Sequence, residues 1–335
     1  MTRLSSLSVL LPVYNGKEFL RQAVDSVLSQ GDVLFDLLVI DDGSTDDSSE
    51  ELSRSADQRI HVYRQANRGL AATLNRGLEL ASGKYIARQD QDDLVLPGRL
   101  AKQVAFLDKN PDCAMVGTWS QIWVGIRPTR RGHYHPASHE ALRLELLFDN
   151  PFVHSSVMLR ADAVRNLGGY CEDKSRQPPE DYELWSRIAL KHRVANLPEV
   201  LTAYREVEGS MSRTGERPFL ANVIRISSEN LAAVISPEFS EEACFALASL
   251  YHGRFADAKI KEFARVRALQ MHQRAALSLG GEVAQWSDEF STTFNRQRAH
   301  INAQFFWRYI PGALIGSARR IKRFLASMTG FLAKG

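Results

Sequence analysis

The first hundred residues alternate between short apolar runs and amphipathic helical patterns, and few folds accommodate that rhythm. Ser8-Val9-Leu10-Leu11-Pro12-Val13-Tyr14 is a nearly continuous apolar run, which suits a strand buried on both faces. Asn15-Gly16 turns it, and Phe19, Leu20, Ala23, Val24, Val27 and Leu28 then recur at helical spacing up to Gly31. Leu37-Leu38-Val39-Ile40 reads as a second buried strand, followed by Asp41-Asp42-Gly43-Ser44. Ser44 or Thr45 is expected to cap the next helix, with Asp46, Asp47, Glu50 and Glu51 at its positive end. Ile60-His61-Val62-Tyr63 follows as a strand, residues 71–81 as a helix, and Lys84-Tyr85-Ile86-Ala87-Arg88 as a fourth strand. Strand and helix in strict alternation predict an α/β fold, a Rossmann-like, mostly parallel sheet with helices on both faces.

In such sheets ligands gather beyond the carboxyl ends of the strands. Pro12 to Tyr14, Asp41-Asp42 and Asp90-Gln91-Asp92-Asp93 all fall at those ends. Carboxylates this close resist ionising together, and a divalent cation removes the penalty. Mg²⁺ typically takes one or two protein carboxylates and completes its shell with phosphate and water. The acidic cluster therefore predicts a metal–diphosphate site. No G-x-G-x-x-G follows the first strand and no G-x-x-x-x-G-K-[ST] occurs, which removes the main support for dinucleotide and P-loop readings.

From Asn110 the alternation loosens. Residues 114–116 and 156–159 read as strands, 140–148 as a helix and Gly168-Gly169-Tyr170 as a tight turn. Pro178-Pro179-Glu180-Asp181 opens a helix running to Lys191, with Leu184, Trp185, Ile188 and Ala189 as its apolar stripe. Beyond about Gly215 only helical patterns remain, with a break near Ser278-Leu279-Gly280-Gly281, so a C-terminal helical extension is expected.

Taken together, the segments resemble glycosyltransferase family 2, the inverting enzymes of GT-A fold. The resemblance rests on Leu11-Pro12-Val13-Tyr14-Asn15-Gly16, Val39-Ile40-Asp41-Asp42-Gly43-Ser44-Thr45-Asp46, Asn67-Arg68-Gly69-Leu70 with Asn75, and Ala81-Ser82-Gly83-Lys84-Tyr85-Ile86. It continues through Asp90-Gln91-Asp92-Asp93 with Leu96-Pro97-Gly98-Arg99-Leu100, Leu167-Gly168-Gly169-Tyr170, and Glu180-Asp181-Tyr182-Glu183-Leu184-Trp185. The ordered set spans residues 5–215. It implies a catalytic domain over 1–215, with a nucleotide-binding half (1–110) and an acceptor-binding half (111–215), followed by a helical region over 216–335.

The resemblance also implies roles. Pro12, Tyr14, Asn15, Asp41, Asp42, Asn67, Gly69 and Asp90 would bind the nucleotide of a nucleoside-diphosphate sugar, Tyr14 by stacking and Asp42 by accepting a base N–H. Asp41 is equally suited to capping the turn that follows it. Asp92, with Asp90, would hold Mn²⁺ or Mg²⁺. Asp181 would be the general base, with Glu180 as its rival, and Asp93, His154, Glu180 and Trp185 would lie at the acceptor or behind the ligands. Inversion needs no enzyme nucleophile, and no Ser/His/Asp or Cys/His set is evident. The family often has a histidine shortly after a Tyr-Arg; here Tyr204-Arg205 is followed by none, leaving Arg205 or Arg213 to offset phosphate charge. Two other classes stay open at this stage: a nucleotidyltransferase, which would carry a Gly-rich basic loop after the first strand, and a non-catalytic nucleotide-sugar binding protein.

Charge is unevenly spread. Of 42 Lys and Arg, eight lie from Arg296 onward, past the last acid, Glu289; the rest of the chain is net acidic. Within that tail Ile310, Leu314, Ala318, Ile321, Leu325, Met328 and Leu332 share one side of a helix over about 311–332, opposite Arg319, Arg320, Lys322, Arg323 and Lys334. Such a helix suits an anionic membrane surface, or packs on the body or a second subunit. A saccharide or lipid-linked saccharide acceptor at the inner membrane face would suit the first reading; no nucleic-acid signature accompanies the basic residues. Three scattered cysteines, no apolar run of membrane-spanning length and no signal-peptide layout predict a cytoplasmic location.

Overall fold

The computed structural model describes residues 6–48, 50–207, 217–254 and 264–307. Among the described residues nine strands form one sheet: β1 (Leu7–Val13), β2 (Phe35–Asp41), β3 (Ile60–Arg64), β4 (Tyr85–Arg88), β5 (Leu94–Val95), β6 (Cys113–Val124), β7 (Arg127–His133), β8 (Met158–Arg160) and β9 (Arg193–Glu206). Their order is β3-β2-β1-β4-β8-β6-β9-β5, with β7 paired to β6. β1 pairs in parallel with β2 and β4, and β2 with β3. The carboxyl ends of β1, β2 and β4 therefore open on one edge, as the sequence predicts.

Beyond β4 the sheet is mixed. β8 runs antiparallel to both β4 and β6, β6 runs parallel to β9, and β5 runs antiparallel to β9. The three-residue strand expected near residue 114 is in fact the twelve-residue β6, which continues into the β7 hairpin. β7 is Arg-rich and half exposed, so it carries no apolar signal. β9 breaks register opposite Thr118 to Ser120, which hides its periodicity.

β1 explains why its sequence is apolar throughout. Leu7, Val9, Leu11 and Val13 pack on one face with α1 (Lys17–Leu28) and α4 (Arg99–Lys109), while Leu10 packs on the other with α3 (Leu70–Leu80) and α7 (Glu180–Lys191). Each such side chain stabilises the fold by about 1.5–3 kcal/mol when fully buried. The helix expected at Ser44 does not start there. Residues 42–48 form a loop, α2 is a single turn (Glu50–Ser53), and Ser44 Oγ instead accepts the Asn15 N–H at 3.0 Å.

A third apolar cluster joins α5 (His139–Glu145) to the C-terminal helices α8 (Arg217–Ile235), α9 (Glu241–Tyr251), α10 (Arg265–Gly280) and α11 (Asp288–Trp307). Between α5 and α7 lies α6 (Ala161–Asn166). α10 ends at Gly280, and Gly281 turns with φ 69°, where the sequence predicts a break. The extension is tied to the sheet-bearing part of the chain by polar bonds as well. Asn222 donates to the carbonyls of Gln177 (3.1 Å) and Pro178 (3.0 Å), fixing the loop that enters α7. The basic helix expected over about 311–332, and Arg213, lie outside the described residues. Among the described residues no helix is long and apolar enough to cross a membrane.

Candidate functional site

Three strand ends build the open edge of the sheet. Asp42, at the end of β2, donates its N–H to the Val13 carbonyl at 2.8 Å, which fixes it beside β1. Its carboxylate accepts from Gln65 Nε2 at 2.7 Å, from the Arg68 N–H at 2.9 Å and from the Gly69 N–H at 2.8 Å. Asp42 thus clamps the 65–69 loop, and Asn67 and Gly69 are brought beside it. Gly69 adopts φ 90° as it enters α3, a backbone angle that favours glycine. Asp41 is 1% exposed and accepts the Ser44 N–H at 2.8 Å, so it caps its turn; Arg64 Nε lies 3.8 Å away. Asn15 Oδ1 accepts from Thr45 N at 2.8 Å and ties the β1 turn to the β2 loop. Pro12 is buried within β1, whereas the Tyr14 ring is 50% exposed and open to a ligand.

The acidic loop is built differently at each carboxylate. Gln91 donates from Nε2 to the Tyr14 carbonyl (3.2 Å) and accepts the Tyr14 N–H at Oε1 (2.9 Å), latching the loop to β1. A Cβ on Gly16 would sit 2.3 Å from that Oε1, so glycine there is a requirement of the latch. Asp93 is 1% exposed and turned inward, where it accepts from the Ser155 hydroxyl and, at 2.7 Å, from the Arg205 N–H. Burial first, then the charges of Asp90 and Asp92, hold its carboxyl well above the usual range. Asp93 thus ties the acidic loop to Ser155 and to β9.

Asp92 feels the charges of Arg88 and Arg205 but, among the described residues, meets no side-chain donor. Burial, then the Asp90 charge, pushes its carboxyl up to about 6. Apart from its own backbone N–H, no donor among the described residues reaches its side chain. Hard carboxylate oxygens with unmet negative charge fit Mg²⁺ or Mn²⁺. Among the described residues no group of three or more His, Cys, Asp or Glu could hold a metal alone.

Arg205 does not reach toward a phosphate. It is 2% exposed, donates from Nε to the Asp92 carbonyl (2.7 Å), from Nη1 to Gly125 O (2.9 Å) and from Nη2 to Gln22 Oε1 (3.1 Å), and stacks over Phe19. It is a buttress of the acidic loop, and the sequence expectation is corrected accordingly.

Asp181 sits in the first turn of α7. Its Oδ2 accepts from Asn150 Nδ2 at 2.8 Å and its Oδ1 from the Tyr182 N–H at 2.8 Å. Desolvation outweighs both bonds and raises the carboxyl to about 6. Glu180, buried beside it, is raised to about 7 by burial and then by the Asp181 charge. His154 shares a 3.0 Å hydrogen bond with the Tyr170 hydroxyl and packs against Trp185; burial holds its imidazole well below the usual range, so it is neutral. Trp185 is wholly buried, which places it under the site and not against an acceptor. Asn75 explains its place among the motifs: it receives the Tyr170 N–H (2.8 Å) and donates to the Tyr170 carbonyl (2.9 Å), pinning the Gly169 turn.

Sequence reasoning missed Arg88, the last residue of β4. It is 1% exposed, donates from Nη2 to Asp90 Oδ1 at 2.6 Å and from Nη1 to the Gln89 carbonyl. An arginine ending an apolar strand and followed by acids was the available signal. Asn150 was also missed; it carries no motif of its own.

The arrangement is therefore an exposed aromatic, a loop clamped by Asp42, a carboxylate without a side-chain donor among the described residues and a perturbed carboxylate on a helix N-terminus. The model of glycosyl transferase family 2 matches residues 8–168. The chain is 34% identical over 227 residues to EpsE of Bacillus subtilis, named as a glycosyltransferase, across 66% of this chain and 80% of that one. It is 33% identical over 204 residues to AmsE, an amylovoran biosynthesis glycosyltransferase of Erwinia amylovora, across 59% of this chain and 75% of that one. The structure of S. aureus TarS residues 1–349 with UDP-GlcNAc superposes with a TM-score of 0.58 at 14% identity, covering 89% of each chain, helical extension included. With its GT-A fold and these relatives, the chain belongs to glycosyltransferase family 2.

Proposed function

We propose that the protein transfers a sugar, with inversion, from a nucleoside-diphosphate sugar to an acceptor hydroxyl, in the building of a cell-surface polysaccharide or glycolipid. The observation that carries the reading is Asp181. A carboxylate raised to about 6 is a stronger base than an ordinary one yet still ionised at neutral pH. Asn150 and the Tyr182 N–H orient it by one oxygen each, so it can take the acceptor proton as the hydroxyl attacks. Tyr14 stacks on the base, and the fourth acceptor direction of Asp42 meets a base N–H. A divalent ion, Mn²⁺ or Mg²⁺, supplies Lewis-acid charge to the departing diphosphate when bound. Asp92 and Asp90 would hold it. The amylovoran role in the name of AmsE supports a polysaccharide product. A lipid-linked acceptor, met at the inner membrane face through the basic C-terminal helix, completes the proposal.

The nucleotidyltransferase alternative loses ground at the β1 turn. The N–H groups of Asn15, Gly16 and Lys17 are occupied by Ser44, Ser48 and Asp46, at 3.0, 2.9 and 3.1 Å, and cannot also cradle a triphosphate. The test begins with a thermal-shift screen of nucleotide sugars with Mn²⁺ or Mg²⁺, starting from UDP-GlcNAc, the ligand of the similarly folded TarS. Asp181→Asn should keep the donor shift and lose about 10²–10⁴-fold in transfer. Full turnover by that variant sinks the base assignment, and retention of anomeric configuration in the product sinks inversion.

A further inference from the structure

Arg88 holds a position that the proposed chemistry leaves unexplained. It is wholly enclosed, yet its charge falls on both halves of the site. It draws Asp92 and Glu180 toward their ionised forms and pushes His154 toward its neutral form. Its Nη2 grips one oxygen of Asp90 at 2.6 Å. Among the described residues its buried Nε meets no acceptor. A second fully buried arginine, Arg99, donates to the Arg88 carbonyl at 2.9 Å and to Gln89 Oε1 at 3.1 Å. The Arg88 N–H bonds the Val157 carbonyl at 2.9 Å. Backbone and side chain are thus both pinned, and the guanidinium cannot swing out to meet a substrate. An unmet buried N–H is normally a penalty of about 1–3 kcal/mol. The grip on Asp90 is what a neutral side chain at this position would not supply.

We propose that Arg88 is a positioning residue: from inside the sheet it sets the orientation of Asp90, presenting the free carboxylate oxygen to the donor, and acts as the fixed counter-charge between the acidic loop and the Glu180–Asp181 pair. This rests on the donor-site reading above. Arg88 touches neither substrate nor metal; it acts through Asp90. Two consequences oppose each other in sign. Loss of the cation strengthens the negative field at both proposed ion ligands, Asp92 and Asp90, which favours a bare divalent ion. Loss of the grip on Asp90 misaligns the contact to the nucleotide sugar. General destabilisation would weaken both ligands together, so opposite movements are diagnostic.

The experiment uses the full chain, with Mn²⁺ alone and Mn²⁺ with UDP or GDP as probes, measured by calorimetry on wild type, Arg88→Met, Arg88→Lys, Asp90→Asn and the Arg88→Lys/Asp90→Asn pair. Arg88→Met should bind Mn²⁺ at least as tightly as wild type and the Mn²⁺–nucleotide at least tenfold more weakly, the scale of one lost charge-assisted hydrogen bond. Arg88→Lys keeps the charge, so its Mn²⁺ affinity should match wild type while nucleotide affinity falls. If Arg88→Met does not fold, Arg88→Lys carries the test. In the Asp90→Asn background, Arg88→Lys should cost less than threefold more, because the two act as one unit. Unchanged nucleotide affinity in Arg88→Lys overturns the proposal, as does a full, additive loss in the double variant. Wild type binding neither nucleotide with Mn²⁺ instead defeats the donor-site reading on which the proposal stands.

Discussion

Asp42 separates two roles that the sequence superimposes. The family resemblance assigns it to the nucleobase, whereas its carboxylate also holds Gln65 Nε2, Arg68 N–H and Gly69 N–H at 2.7, 2.9 and 2.8 Å. Hydrogen bonds to a charged acceptor contribute about 1.5–3 kcal/mol each, and a buried donor left unmet costs about 1–3 kcal/mol. Asp42 is 4% exposed, but the loop it holds is partly open, so water recovers part of that loss. Asp42→Ala should therefore destabilise the ligand-free protein by about 3–5 kcal/mol. Asp42→Asn, which keeps one acceptor oxygen but turns an amide N–H₂ toward the remaining donors, should cost about 2–3 kcal/mol. The assay is urea unfolding of the ligand-free chain, paired with hydrogen exchange over residues 65–70. Faster exchange of the Arg68 and Gly69 amides should accompany the lower midpoint. A purely ligand-binding Asp42 predicts the opposite pattern: wild-type stability and exchange, with weakened nucleotide binding alone. A midpoint within about 0.5 kcal/mol of wild type for Asp42→Ala would refute the clamp.

The remaining predictions concern pH and the latch. Asp181 must be ionised to accept a proton, so kcat/KM should rise with pH through about 6 and level off above it; a flat profile from pH 5 to 7.5 contradicts the assignment. The same shift has the reverse sign for stability. The folded carboxyl binds its proton more tightly than the unfolded one, so its contribution is full below about 4, the model-compound value, and is lost as pH rises through about 6; a ligand-free urea midpoint that rises over that window in wild type relative to Asp181→Asn would contradict it. Gly16→Ala should displace Gln91 from both Tyr14 bonds and destabilise by about 1–2 kcal/mol. Gln91→Ala should match it, and the double variant should add little, as chemical denaturation of all three will show.

The nucleotide half was legible because its physics is local. In β1 and β2 both faces are buried, so the strands read as unbroken apolar runs, and Gly16 and Gly69 mark turns on the page of the sequence itself. The second half was not, because its strands are edge-like or irregular. β7 reads Arg-Pro-Thr-Arg-Arg-Gly-His and has half its surface in water, so nothing apolar marks it. The acidic cluster could be found by composition, but the division of labour within it could not. Whether an aspartate meets Ser155, Arg205 or nothing depends on contacts more than 60 residues away in sequence, which no local pattern encodes. Arg88 was hidden for the same reason: only the fold encloses it.

That division gives a physical rule for sorting the acids of this site. Asp41, Asp42 and Asp93 have their oxygens met by donors from the protein, which fixes loops and leaves little charge to offer. Asp90 is half-met, by one guanidinium nitrogen at 2.6 Å. Asp92 receives only its own N–H, and Glu180 is raised to about 7 by burial beside a like charge. The protein could have neutralised these last groups with further lysines or arginines, as it did around Asp57 and Glu206. It left them electrostatically unfinished at the one edge where a cation and a proton-donating hydroxyl are expected. Acids that are satisfied within the fold hold its loops, and acids whose charge the fold leaves unmet are where a ligand gains the most by arriving; Asp181, met by Asn150 and the Tyr182 N–H yet raised to about 6, joins the second group because desolvation outweighs both bonds.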